Sequence, residues 1–221
     1  MKTKIAVFDF DGTLYPFETF TFLVNQLKKQ SSFRSRYYLF NGKFLITYCL
    51  YKLKFISKVQ MREQALLKYI GIFKGLTATE IDEFFTSAYL DMKDRVNSTV
   101  LKELQRAKAD GYKVIVVSGA VKPLLEKVSQ DIKFDIVIGS EIPIRNDKFD
   151  ELAKLEYIQG DLKVQKLKAA VAGEDIDWEA SIAYADSESD LPILSVVGNP
   201  VCVDPDEKLL EVAKQRNWRI I

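Results

Sequence analysis

The chain contains no histidine among its 221 residues. That absence excludes Ser-His-Asp and Cys-His nucleophile systems, phosphohistidine chemistry and most zinc sites. Acid–base work therefore falls to Asp, Glu, Lys, Tyr or Cys. Cysteine is scarce too. Cys49 and Cys202 are the only two, they lie far apart, and no CxxC pair exists. A disulfide framework is excluded, and a reducing cytoplasm is the expected compartment. No apolar run approaches the ~18 residues that mark a membrane-spanning helix. The run behind the basic Met1-Lys2-Thr3-Lys4 meets an acid too early for a signal peptide.

What is present is apolar and unevenly charged. Hydrophobic residues make up 48% of the chain, enough for one full core or a core with a smaller appended domain. The net charge is only +1, but residues 1–75 hold 13 basic and 4 acidic residues. The remainder holds 19 basic and 27 acidic residues. Such asymmetry points to two parts with different tasks.

The most informative segment is Lys4-Ile5-Ala6-Val7-Phe8-Asp9-Phe10-Asp11-Gly12-Thr13-Leu14. A continuous apolar run reads as a buried parallel strand, and ligands in open α/β sheets bind beyond the carboxyl ends of such strands. Acids at that end need charge compensation, which a hard cation such as Mg²⁺ supplies. The plain alternative is a polar turn at Asp11-Gly12.

From Val96 onward helices and strands alternate. Val96, Val100, Leu101, Leu104 and Ala107 recur at helical spacing and Gly111 ends that helix. Tyr112–Val117 reads as a strand that stops at Ser118-Gly119, followed by a helix with Pro123 in its first turn. Phe134–Gly139 is a further strand, and residues 141–160 read as a hairpin-like insertion turning at Asn146-Asp147. A helix over Asp161–Ala172 is stopped by Gly173. Ser181–Ala185 is a strand ending at Asp186. A short helix at Leu191–Val196, a strand at Val201–Val203, a helix at Asp206–Lys214 and an edge strand at Trp218–Ile221 complete the chain. This alternation predicts an α/β fold with a parallel sheet flanked by helices. Residues 15–90 break the pattern and predict helices near Phe20–Lys29, Arg36–Phe55, Val59–Phe73 and Thr79–Met92, the last capped by Thr77-Ala78-Thr79-Glu80. Such a block reads as an inserted helical cap over 15–90, with the core formed by 1–14 and 91–221.

Four elements thus fall where strand ends meet loops: Asp9/Asp11, Ser118, a lysine at 163 or 166, and Asp186 with Asp190. Together with Gly160-Asp161-Leu162-Lys163-Val164 and the tail Gly198–Asp206, this set resembles the haloacid dehalogenase superfamily of phosphatases, in its phosphoserine phosphatase-like branch. The resemblance covers nearly the whole chain and implies a Rossmann-like core with a helical cap. It implies that Asp9 is a nucleophile forming an aspartyl-phosphate. It implies that Asp11 is the general acid and then base, a role that needs a raised pKa. Mg²⁺ is implied on Asp9, the backbone carbonyl of Asp11, and Asp186, with Asp190 in support. Ser118 and the Gly119 N–H are implied to hold phosphate, alongside a lysine. Lys163 is preferred over Lys166 because it lies nearer the helix start and fits the family pattern. Read alone, Ser118 is a turn residue and Asp190 a helix cap.

The cap should choose the substrate. Glu18 stands where the resemblance places a reader of a substrate amine, and it also reads as a solvated first-turn acid. The family's later cap arginine is replaced by Tyr69 in an ungapped comparison, which puts phosphoserine in doubt. Residues 16–75 carry 11 basic and 2 acidic residues. Tyr37–Phe40 and Phe44–Tyr51 interleave aromatics with Arg36, Lys43, Lys52 and Lys54. They read first as cap core and seam, and second as an interfacial helix on phospholipid. The expected partner is a small phosphorylated metabolite, with no nucleic acid. Two rivals remain: a phosphotransferase using the same intermediate, and a non-catalytic membrane- or nucleic-acid-binding protein.

Overall fold

The computed structural model describes residues 2–221. Strand β1 (Ile5–Phe8) opens the chain. Four helices follow: α1 (Thr19–Lys29), α2 (Arg34–Lys52), α3 (Lys58–Ile70) and α4 (Ala78–Leu90). Then come α5 (Ser98–Ala109), β2 (Lys113–Val121), α6 (Lys122–Ile132), β3 (Ile136–Ser140) and a small hairpin, β4 (Ile144–Arg145) with β5 (Lys148–Phe149). The chain closes with α7 (Asp161–Ala170), β6 (Ile182–Ala185), α8 (Leu191–Leu194), β7 (Asn199–Cys202), α9 (Glu207–Gln215) and β8 (Arg219–Ile220).

The six main strands form one parallel sheet in the order β3-β2-β1-β6-β7-β8. The chain winds outward from β1 in one direction, then from β6 in the other. The crevice between β1 and β6 is therefore the topological switch point, where such sheets bind ligands. Alternation along the strands divides the core. Ala6, Phe8, Val114 and Val116 face α5 and α6, while Ile5, Val7, Ile115 and Val117 face α7, α8 and α9. Parallel strands covered on both faces need this continuous apolar composition.

The four helices between β1 and α5 do not have a separate core. Phe8, Phe10 and Leu14 belong to the same buried cluster as Tyr69, Phe73, Phe84 and Phe85, and Leu124 and Leu125 of α6 join it. Phe73 meets Phe33, Tyr69, Phe84 and Phe85 at ring separations of 5.5–6.3 Å. Such pairs contribute roughly 0.5–1.5 kcal/mol each beyond their burial. The β4–β5 hairpin tethers this block. Phe149 N–H donates to Leu76 O at 3.1 Å and Ala78 N–H to Asp147 O at 3.1 Å. Asn146 and Asp147 both have positive φ, as a tight hairpin turn requires. The expected cap at Thr77 forms as a full capping box with Glu80.

Three local expectations need correction. β2 does not stop at Val117. It continues through a register shift to Val121, which pairs with Ser140, so Ser118 and Gly119 lie inside an irregular strand and not at a helix start. α7 ends at Ala170, ahead of Gly173. Third, α2 is only in part a core helix. It buries Phe40 and Thr47, but Tyr38, Leu39, Leu45, Ile46 and Tyr48 are exposed. Its 3.6-residue period accommodates two apolar stripes, and only one of them finds the protein interior.

Candidate active site

Asp9 is the first residue past β1. Its N–H continues the ladder, donating to Tyr184 O at 2.9 Å, and the neighbouring Phe8 and Tyr184 rings stack with centroids 4.4 Å apart. These contacts hold the Asp9 carboxylate at the switch point, 6% exposed. The chain then turns sharply at Gly12, whose φ is +75°. A Cβ there would fall 2.2 Å from an Asp186 carboxylate oxygen, so only glycine lets the β6 loop approach. Next to it, Thr13 donates its hydroxyl to Asp186 Oδ1 at 3.1 Å.

Lys163 reaches the same place from the first turn of α7. Its Nζ lies 2.6 Å from Asp9 Oδ1 and 2.5 Å from Asp190 Oδ1. Ser187 donates to the other oxygen of Asp190 at 2.7 Å. Lys166 turns outward and pairs with Glu156 at 2.6 Å. The two lysines are three residues apart, yet only Lys163 meets the aspartates. Burial lowers the Lys163 ammonium, but Asp190 and Asp9 more than offset this and hold it above the ordinary lysine range. Burial acts on Asp9 in the opposite sense and raises it, with Lys163 opposing and Asp190 and Asp186 adding to the rise. Asp186 is raised for the same first reason, followed by repulsion from Asp190.

Asp9, Asp186 and Asp190 each offer a carboxylate oxygen within 4.8 Å of the others. Three carboxylates face one ammonium, so the cluster is short of positive charge. Hard oxygen donors in excess of their counter-charge suit a hard dication. The residues present therefore fit a divalent metal. The Asp11 side chain is not part of this carboxylate cluster. It accepts the Thr19 N–H at 2.9 Å and so caps α1 from a distance, in place of Glu18, which makes no side-chain cap. Desolvation lifts the Asp11 carboxyl to about 7, opposed by the Thr19 hydrogen bonds and assisted by Asp9 and Glu18.

Ser118 is buried, and its Oγ accepts the Ala120 N–H at 3.1 Å. The Gly119 carbonyl accepts the Ser140 hydroxyl at 2.9 Å. A Cβ on Gly119 would lie 2.9 Å from Ile158 O and from the Tyr157 ring, so this glycine lets the 157–158 segment close over β2. Glu18 is exposed and pairs with Arg62 at 3.1 Å. Tyr69 is fully buried among Phe20, Phe40 and Phe73, and its hydroxyl has no partner among the described residues. It is a core residue.

Two residues at this site escaped sequence reasoning. Arg62 lies seven residues before Tyr69, two turns earlier on the same face of α3, a spacing that could have been searched for. Tyr157 belongs to no motif. Burial raises its hydroxyl, while Arg62 and Lys163 oppose the shift and Asp11 and Glu18 add to it. Its hydroxyl thus feels Lys163 and Asp11 as well as the Glu18–Arg62 pair.

Comparison with known proteins agrees with this geometry. The haloacid dehalogenase-like hydrolase model matches residues 6–195. A phosphoserine phosphatase of Lactococcus lactis is 26% identical over 148 residues, covering 66% of each chain. The inhibition of morphological differentiation protein of Streptomyces azureus is 25% identical over 155 residues, covering 68% of this chain and 55% of its own. The chain thus spans only about half to two thirds of the length of these relatives. A Bordetella pertussis Tohama I protein of unknown function has the same fold, with a TM-score of 0.83, 18% identity and coverage of 100% of this chain and 99% of its own. With the match running from the middle of β1 past α8, the chain belongs to the haloacid dehalogenase-like hydrolase family.

Proposed function

We propose that this chain is a Mg²⁺-dependent phosphatase that hydrolyses a small phosphomonoester through a phosphoryl group carried on Asp9. The observation that carries the reading is the Lys163 ammonium seated between Asp9 and Asp190, with Asp186 alongside, at the sheet's switch point. On this reading residues 15–90 are a substrate-selecting cap, and residues 1–14 with 91–221 are the catalytic core.

Asp9 attacks phosphorus with a carboxylate oxygen, and the bond from phosphorus to the leaving alkoxide breaks. Asp11 gives its proton to that alkoxide. Its carboxyl, lifted to about 7, holds a proton near neutral pH. Asp11, now ionised, then takes a proton from water as the water oxygen bonds to phosphorus. The bond between Asp9 and phosphorus breaks, inorganic phosphate leaves, and Asp11 is protonated again. Ser118, the Gly119 N–H and Lys163 hold the phosphate oxygens in place. Mg²⁺, held by Asp9, Asp186 and the backbone carbonyl of Asp11 with Asp190 in support, supplies charge neutralisation between an anionic nucleophile and an anionic ester.

Substrate choice falls to the Glu18–Arg62 pair and the Tyr157 ring. An amine on the substrate competes with Arg62 for Glu18, and a carboxylate competes with Glu18 for Arg62. Phosphoserine carries both groups, and the Lactococcus lactis relative bears the name of its phosphatase. Phosphoethanolamine and phosphocholine carry only the cation. A phosphate-release screen over these and other phosphomonoesters, with and without Mg²⁺, tests the assignment. Release that needs both Mg²⁺ and Asp9 supports it. No turnover of any ester by folded, metal-supplied protein refutes it.

A further inference from the structure

From Thr19 to Arg62 the chain has nine basic residues and no acidic one. The same stretch contains most of the large apolar side chains that the fold leaves in solvent. On α2, successive residues advance by 100°, which separates two stripes. Phe40 and Thr47 lie on the buried side. Tyr38, Leu39, Leu45 and Ile46 lie on the opposite side, and Leu53 continues that stripe just past the helix. Ile46 is 68% exposed and Leu45 60%. The stripe runs on into the α2–α3 turn, where Phe55 is 75% exposed and Val59 is also exposed.

Basic residues border this apolar strip. By the same geometry Arg34 and Lys52 flank one side of the α2 stripe and Lys43 the other, and Lys54 and Lys58 lie in and after the turn. None of these five has a carboxylate within ion-pair distance among the described residues. By contrast Lys29 and Arg62 are paired with Asp91 and Glu18. The five unpaired cations thus gather around exposed leucine, isoleucine and phenylalanine.

We propose that this face of α2 and the α2–α3 turn docks on an anionic phospholipid bilayer. Apolar side chains between cationic borders match the boundary between acyl chains and charged headgroups. A second copy of the chain is a poor occupant, because it would bring like charges together with no acid between Thr19 and Arg62 to offset them. The strip suits lipid better than nucleic acid, since aliphatic Leu39, Leu45, Ile46, Leu53 and Val59 outnumber Tyr38 and Phe55, the ringed side chains on which a base could stack. Among the described residues no helix is long and apolar enough to cross a membrane, and the proposed contact is a surface one.

Vesicle flotation of the full chain tests this. We expect it to float with phosphatidylcholine–phosphatidylglycerol vesicles and to stay behind with pure phosphatidylcholine. Leu45→Asp with Ile46→Asp should abolish flotation while leaving the melting temperature unchanged, since both side chains are exposed. Each cation contributes about fivefold to partitioning on an anionic surface. Lys52→Gln with Lys54→Gln should therefore weaken partitioning about 25-fold, a second arm that does not depend on the apolar variant folding. Equal flotation with neutral vesicles, no flotation with either, or unchanged binding by both variants overturns the proposal. So does a solution dimer that the Leu45/Ile46 variant splits into monomers.

Discussion

Replacing Lys163 by methionine separates an internal counter-ion from a surface lysine. Lys163, Asp9 and Asp190 are all nearly inaccessible, and the ammonium touches both carboxylates at 2.5–2.6 Å. Removing one partner of such a buried pair typically costs about 3–5 kcal/mol, because the remaining charges lose their compensation. In a chain of this size each kcal/mol moves the melting temperature by about 2–4 °C, so the metal-free variant should melt about 6–20 °C lower. A divalent cation bound among the same carboxylates stabilises the folded state by mass action. The variant, carrying one positive charge fewer, should therefore gain more from added Mg²⁺ than the parent does. Lys166→Met is the control. Its partner Glu156 is exposed, and such pairs contribute only about 0–1 kcal/mol. Thermal melts of the three proteins, with chelator and with Mg²⁺, decide the matter. Equal melting of the Lys163 and Lys166 variants would refute the assignment of Lys163 as the internal counter-ion.

Three further outcomes follow from the geometry. Gly12→Ala combines a left-handed backbone with a Cβ only 2.2 Å from Asp186. It should lose about 1–3 kcal/mol and need more Mg²⁺ for half-maximal phosphate release, and parental values in both melting and metal titration would contradict that. Glu103 accepts two hydrogen bonds from Arg219 at 2.7 and 3.0 Å and one from Tyr184 at 3.1 Å, which ties β8 to α5. Arg219 holds Glu103 below its ordinary value of 4.5, so this stabilisation is present above that value and is lost as pH falls through the folded-state pKa. Because the Arg219 side chain is half exposed, Glu103→Gln should cost only about 1–2 kcal/mol at neutral pH. The gap between variant and parent should close in acid, and a gap that persists in melts below that window rules the network out. For Asp11→Asn, loss of the proton donor should slow an alkyl phosphate far more than p-nitrophenyl phosphate, whose leaving group needs no proton. Equal losses on both esters would remove Asp11 as the general acid.

The parts of the fold legible in the sequence are those set by local pattern. The run Ile5–Phe8 needs two covered faces, and its end at Asp9 marks the switch point. Thr77 and Glu80 form their capping box within four residues. Other features depend on long-range registration. β2 passes Ser118 because Val121 pairs with Ser140, a partner nineteen residues away whose register no local motif encodes. Whether Lys163 or Lys166 faces inward depends on the rotation of α7 against the sheet. On α2 the periodicity shows apolar stripes but cannot tell which of them meets a neighbour, so core and exposed surface look alike. Arg62 meets Glu18 across 44 residues of sequence, a pairing set by how the helical block folds and encoded by no local motif.

The most direct measurement is of the phosphoryl group itself. The full chain would be incubated with Mg²⁺ and an ester that it turns over, quenched in acid, digested, and analysed by mass spectrometry. We expect the mass of one phosphoryl group on the peptide containing Asp9, assigned to Asp9 and absent without Mg²⁺ or in Asp9→Asn. Steady phosphate release with no such adduct, or release that survives in Asp9→Asn, would contradict the central claim that this chain transfers phosphate through Asp9.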